Sequence, residues 1–394
     1  MDALAASNPN HEPRVTNPGA PGLYVHIPFC SAICNYCNFN RGLFDHALKA
    51  RFVEALLREI QAGAARTLPL APDTLYFGGG TPSLLTPSEI ASIVGESHRS
   101  LGLAVDAEIT LEANPETVET GLLEAFRLAG VNRLSLGVQS FRDEELKRLG
   151  RLHSAERARQ AVQMARAAGF DNVSIDLMMW LPGQDLGQWL TSVEDAIRVD
   201  PEHMSLYILE VYPHLPLKQE IDRQGWTQQG DKEAAEMYET AMAMLEAASY
   251  NQYEISNVAR PGRRSRHNLK YWTDGAWFGF GPGAHSTSQG RRWRNISGTD
   301  DYIRRLAAGL TVATDHRLLS RDERLGDALF TGLRLSDGID LETLSRRYDV
   351  DIWARFGQSL SPFCEAGILS RQDGRLRLTR QGMLVANDVM SVFV

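Results

Sequence analysis

"LYVHIPFCSAICNYCNF", residues 23–39, joins a run of strand character to a loop that packs Cys30, Cys34 and Cys37, three of the four cysteines, into eight positions. Further β-rich runs follow at 74–79, 108–114, 133–139, 172–179 and 203–210, with amphipathic helical stretches between them, among them 45–64, 86–101 and 154–169. Repeated βα units imply parallel strands joined by right-handed crossovers. The expected fold class is therefore α/β, with a six-unit open barrel preferred over a doubly wound sheet. In either architecture functional groups collect at the carboxyl ends of the strands. The cysteine loop follows the first strand, "GGGTP" (78–82) ends the second, Glu112 the third and Gln139 the fourth, while Asp176 lies in the fifth.

The whole chain sets the bounds. Its 394 residues are enough for a barrel-sized domain and one or two smaller units, since single cores stop growing near ~250–300 residues. A net charge of −8 implies no global attraction to nucleic acid or anionic lipid. Residues 1–21 carry neither a basic nor an apolar signal region and read as a flexible leader, and no apolar run suits a transmembrane segment. The expectation is a cytoplasmic protein, where clustered thiols more often bind metal than pair as disulfides.

C-x3-C-x2-C offers three thiolates in a span too tight for an isolated disulfide framework. Structural zinc prefers four ligands, usually in two separated pairs. The remaining cysteine, Cys364, lies over 300 residues away, although His26 is close. Three thiolates on a [4Fe–4S] cluster would leave one iron open to a ligand.

The loop resembles the signature of the radical S-adenosylmethionine (SAM) superfamily, with Tyr36 as its aromatic residue. That resemblance implies a [4Fe–4S] cluster on Cys30, Cys34 and Cys37, SAM on the fourth iron, and an electron that cleaves the sulfonium to a 5′-deoxyadenosyl radical. Together "GGGTPSLL", "EITLEANPE", "RLSLGVQSF", "LGRLHSAERA", "DLMMWLPGQ" and "QYEISNVARPG" resemble the coproporphyrinogen dehydrogenase-like group over residues 22–394. The resemblance places Tyr24, Tyr36, Gly79, Gly80, Thr81, Glu112, Gln139, Arg151 and Asp176 around SAM. Glu112 would accept from the ribose hydroxyls and Arg151 would fork onto the carboxylate. Phe39 stands where the dehydrogenase has a further cysteine, which, with "HNLKYW" (267–272), looks like the HemW-type haem chaperones. That branch implies haem as ligand, recipient haemoproteins as partners and an electron donor for the cluster. The alternative is an oxygen-independent coproporphyrinogen III dehydrogenase. Asn35 and Asn38 replace the usual proline and aspartate. Trp180 replaces a usual glycine, which could narrow the substrate space.

Residues 22–230 are expected to form the barrel and 231–316 an aromatic and basic extension covering it. Within 259–294 eight cations and six aromatic residues face one acid, Asp274, a composition suited to a porphyrin and its propionates. His267 or His285 could supply an axial nitrogen, and the resemblance favours His267. Residues 317–394 read as helices closed by a hairpin at "QDG", a winged-helix-like unit. Its eleven arginines and eleven acids cancel, which argues against a DNA-binding wing and leaves no nucleic acid among the expected partners.

Overall fold

The computed structural model describes residues 19–64 and 71–394, so the expected leader lies outside the described residues up to residue 18. Six strands run parallel in chain order: β1 (Gly22–Ile27), β2 (Thr74–Gly79), β3 (Glu108–Ala113), β4 (Arg133–Gln139), β5 (Val173–Met179) and β6 (His203–Ile208). Each boundary falls within two residues of its sequence run. Helices α1 (His46–Ala64), α2 (Pro87–Leu101), α3 (Thr120–Leu128), α4 (Asp143–Arg148), α5 (Ala155–Ala167) and α6 (Leu186–Val199) fill the crossovers. Capping fixes where they begin. Thr86 and Glu89 cap α2 reciprocally, and Asp185 and Gln188 do the same for α6.

The strands alternate between two surfaces. Leu23, Val25 and Ile27 of β1, Leu75 and Phe77 of β2, and Leu134 and Leu136 of β4 are buried in one apolar core with helix residues such as Phe52, Ile90 and Trp189. The intervening residues are polar, and register sets Tyr24 beside Tyr76, Glu112 beside Ser135 and Asp176 beside Ser205. Barrel interiors are commonly filled by Val, Ile and Leu. Here the polar face is instead turned inward, as a cavity for a polar ligand requires.

The sheet does not close. Beyond β6 it continues antiparallel through β8 (Asn257–Ala259) to β7 (Asn251–Glu254). Beyond β1 it adds a parallel β9 (Trp277–Phe280), then antiparallel β10 (His285–Ser288), β11 (Arg291–Asn295) and β12 (Ala313–Leu318), which runs to both sides of residue 316. Helices α7 (Pro216–Gln224) and α8 (Asp231–Ala247) precede β7, and α9 (Arg266–Trp272) lies across the amino-terminal ends of the strands. There Glu108, at the start of β3, accepts from the Arg266 and His267 amides at 3.2 and 3.1 Å, a carboxylate at the start of a helix.

After α10 (Thr299–Ala307), helices α11 (Arg321–Gly332), α12 (Leu341–Tyr348) and α13 (Ile352–Glu365) pack with a small antiparallel sheet of β13 (Ile339–Asp340), β14 (Leu369–Gln372) and β15 (Arg375–Leu378). The β14–β15 turn is Asp373–Gly374, both left-handed, as a tight two-residue hairpin demands. Among the described residues no helix is long and apolar enough to cross a membrane.

Candidate functional site

The cysteine loop leaves the carboxyl end of β1 and is pinned at its base. Phe29–Cys30 pairs in parallel with Gly42–Leu43. The Gly80 amide donates to the Ile27 carbonyl and the Thr81 amide to that of Phe29, both at 2.7 Å. A Cβ on Gly80 would stand 2.5 Å from the Phe29 oxygen, so glycine is what lets the end of β2 press against the entry to the loop. Gly80 and Thr81, which the resemblance sets around SAM, thus also brace the cysteine loop through their amides. On the far side Asn35 donates to the Arg148 carbonyl at 2.6 Å and to Glu220 of α7 at 3.0 Å. The usual proline has no such donors.

Cys30, Cys34 and Cys37 open into a cavity of about 430 Å³ at the carboxyl ends of the strands. Tyr36, Gly79, Gly80, Thr81, Glu112, Gln139, Arg151 and Asp176 line the same cavity. Among the described residues no three His, Cys, Asp or Glu side chains converge on a single-ion site. Thiols spread around one cavity suit a cubane cluster, whose sulfurs ligate separate irons. Cys364 lies on α13, half-buried and outside the lining of this cavity. Burial pushes the Cys30 thiol up, opposed by the Thr81 hydroxyl and the Arg41 charge.

The polar groups of the cavity are held in place before any ligand enters. Arg151 donates to the Asn114 amide oxygen and the Gly137 carbonyl, both at 2.7 Å, and to the Cys34 sulfur at 3.4 Å. Among the described residues its Nε is buried without a hydrogen-bond partner, as is the Gln139 amide oxygen. Gln139 sits in the left-handed region at φ 67°, a strained position for a residue with a side chain. Glu112 accepts from the Tyr76 hydroxyl at 2.7 Å and the Gly79 amide at 3.2 Å. Burial, and then the neighbouring Asp176 charge, nonetheless push its pKa up to about 7, and burial raises Asp176 to about 6. One unspent donor, one unspent acceptor and two poised carboxyl groups fit a ligand carrying a carboxylate and vicinal hydroxyls, as SAM does.

Two expected residues lie elsewhere. Tyr24 is below the cavity, stacked on Tyr76 with ring centroids 6.2 Å apart and bonded to His26 Nδ1 at 3.1 Å. His267 is at the opposite end of the barrel, 1% exposed, with Nδ1 2.8 Å from the Thr74 hydroxyl and Nε2 2.9 Å from that of Tyr271. Burial, with help from the Lys270 and Arg133 charges, lowers its pKa to about 3. Both ring nitrogens are engaged in the barrel floor, so this arrangement offers His267 to no iron.

The basic segment is also not the free positive surface its composition suggested. Arg260 pairs with Asp200, Arg263 with Asp171, Arg264 with Asp337, Arg266 and Lys270 with Asp73, Arg292 with Asp327 and Arg294 with Asp315. The neutralising acids come from distant parts of the chain. Trp180 does not line the cavity; its indole donates to the Gln229 carbonyl at 2.7 Å. Its φ of 62° accounts for the glycine usual at this position.

Sequence reasoning missed Asn114, Gly137, Tyr207, Tyr212 and Arg41 as lining residues. The strand-end rule that found Glu112 would have found Tyr207, the penultimate residue of the sixth strand.

Residues 24–196 match the radical SAM superfamily and residues 319–385 the HemN C-terminal domain. The chain is 34% identical to the heme chaperone HemW of Bacillus subtilis (strain 168) over 372 residues, 94% of this chain and 98% of that one. It is 36% identical to the mitochondrial radical S-adenosyl methionine domain-containing protein 1 of Bos taurus, covering 96% and 88%, and 40% identical to HemW of Escherichia coli (strain K12), covering 67% and 69%. The structure of coproporphyrinogen III oxidase (HemN) from Escherichia coli superposes with a TM-score of 0.84 over 95% of this chain and 90% of that one; at 23% identity it shows a shared fold. With likeness of this extent to relatives so named, carried through both the cysteine barrel and the C-terminal unit, the chain belongs to the radical SAM superfamily and, within it, to the HemW family.

Proposed function

We propose that the chain is a haem chaperone that holds a [4Fe–4S] cluster on Cys30, Cys34 and Cys37, binds SAM and haem, and delivers haem to recipient haemoproteins in the cytoplasm. The observation that carries this reading is the near full-length likeness to relatives named heme chaperone. Bound together, a reduced cluster and SAM supply an electron and a sulfonium that it can cleave, for which a protein electron donor is required.

The chain's own residues bind and orient. The Arg151 guanidinium, prepositioned by Asn114 and Gly137, would take the SAM carboxylate, and Glu112 and Asp176 would accept from ribose hydroxyls once deprotonated. Tyr36, Gln139 and Thr81 would close the walls, with the Gly79–Gly80 backbone beside them. Transfer of haem from the loaded protein to an apo-haemoprotein, followed by absorption, tests the reading directly.

The alternative, coproporphyrinogen III dehydrogenase, shares the cysteine cavity. Phe39, 69% exposed at the cavity lip where the dehydrogenase signature has cysteine, favours the chaperone. Anaerobic incubation of reconstituted protein with coproporphyrinogen III, SAM and a reductant should leave the porphyrinogen unchanged; formation of protoporphyrinogen would establish the alternative.

A further inference from the structure

We infer that haem docks over the mouth of the cysteine cavity, with His214 supplying the axial nitrogen and Arg41 meeting a propionate. This rests on the haem-binding reading above and gives that ligand a place.

Three independent features meet at the mouth. The first is apolar surface. Phe39 is 69%, Ile208 51%, Ile33 45% and Tyr207 42% exposed, and all four line the cavity. Single exposed apolar residues are ordinary, but several around one opening form a patch that marks a binding surface.

The second is an accessible imidazole. His214 lies on the loop between β6 and α7, exposed to solvent. Its Nε2 meets only the Asn38 amide oxygen, at 3.1 Å, and among the described residues its Nδ1 has no hydrogen-bond partner. Its ring neighbours that of Tyr212, a lining residue, at 5.8 Å. His267, in contrast, spends both nitrogens inside the barrel floor.

The third is a cation beside the cysteine loop that has no carboxylate partner among the described residues. Arg41 donates to the Cys37 and Phe39 carbonyls, and among the described residues no carboxylate lies within ion-pairing distance of it. The cations of 259–294 are nearly all paired. Asn38 joins the two features, since His214 touches its side chain while Arg41 grips the carbonyls on either side of it. Glu210 stands at the same lip, bonded to the Tyr212 hydroxyl, and would turn a carboxylate edge away from itself toward Arg41.

A flat apolar disc with a metal that takes a nitrogen ligand and with carboxylates at its edge uses all three features. An apolar peptide segment would use the patch and leave the imidazole and the guanidinium unexplained.

The test is titration of haem into cluster-loaded protein, read by Soret absorption, EPR and affinity, for the wild type and the variants His214→Ala, Arg41→Gln and His267→Phe. Iron and sulfide content reports retention of the fold in each. His214→Ala should shift the Soret band and weaken binding about tenfold, and Arg41→Gln should weaken it several-fold with an unchanged spectrum. A folded His267→Phe should keep the wild-type spectrum. Wild-type spectrum and affinity in His214→Ala would overturn the mouth site while leaving haem binding itself intact. Absence of stoichiometric haem binding by the wild type would overturn the haem-binding reading and this inference with it.

Discussion

Arg151 Nη1 points at the Cys34 sulfur from 3.4 Å while Nη2 holds Asn114, just past β3, and Gly137 of β4, so one guanidinium ties two neighbouring strands to the cysteine loop. Burial opposes its charge, but the surrounding Tyr36, Cys34 and Glu116 groups more than offset this and keep it protonated. Removing it should therefore disturb both the SAM pocket and the thiolate beside it.

The first expectation concerns the thiols. Anaerobically reconstituted protein should carry about four irons per chain, and Cys34→Ala should lose the brown chromophore because two thiolates do not retain a cubane. Cys364→Ala should keep it, since that thiol lies on α13, away from the cavity. Iron and sulfide analysis decides; full iron in Cys34→Ala would refute the cluster assignment.

SAM affinity supplies the second. Arg151→Gln and Glu112→Gln should each weaken SAM binding by ~1.5–3 kcal/mol, the range for a charge-assisted hydrogen bond. Calorimetry on cluster-loaded protein measures this. Unchanged affinity in both variants would place SAM elsewhere.

How much of this was legible in the sequence follows from how local each signal is. Strand boundaries such as those of Arg133–Gln139 depend on runs of adjacent residues, and the expected run matches the strand. Glu112 was legible because strand ends carry position as well as composition, and Asp176 because a carboxylate inside an apolar strand stands out. His267 misled because "HNLKYW" presents histidine and aromatics together, while the partner that occupies its Nδ1, Thr74, lies 193 residues away. The basic segment misled for the same reason, since Asp73, Asp200 and Asp327 neutralise it only after folding. Strand β9 was hidden by its glycine-rich, aromatic sequence, which reads as a loop until β1 offers an edge.

Buried carboxyl groups give the third expectation. The folded-state pKa of Glu112, about 7, lies above the unfolded value of ~4.3. Between those values the folded chain binds more protons than the unfolded one, so stability is greatest below the unfolded pKa and is lost as pH rises through about 7. Asp176, at about 6, adds a loss of the same sign. Glu112→Gln should flatten the fall in Tm of SAM-free protein between roughly pH 5 and 8. An unaltered slope would show that Glu112 is not protonated in the folded chain.

The last expectation isolates the geometry that delivers the cysteines. A methyl group at residue 80 would stand 2.5 Å from the Phe29 carbonyl oxygen and 2.9 Å from that of Ile27, both backbone atoms in a paired segment. Neither has a rotamer by which to escape, so the end of β2 and the Cys30 strand must part, and the Gly80-to-Ile27 bond of 2.7 Å is lost with them. The apolar core between the strands and the helices is not part of this contact, which is between backbone atoms and the added methyl group. Gly80→Ala should thus lower cluster occupancy sharply with all three cysteines present, while far-ultraviolet circular dichroism stays that of the wild type. Gly121→Ala provides the comparison, because a Cβ there meets nothing within 4 Å and the residue lies in the first turn of α3. That variant should be neutral, or more stable by ~0.4–1 kcal/mol through the lower entropy of its unfolded chain, and should load the cluster fully. Wild-type iron and sulfide in Gly80→Ala would mean that the loop reaches its cluster-holding shape without the pressure of β2 against Phe29.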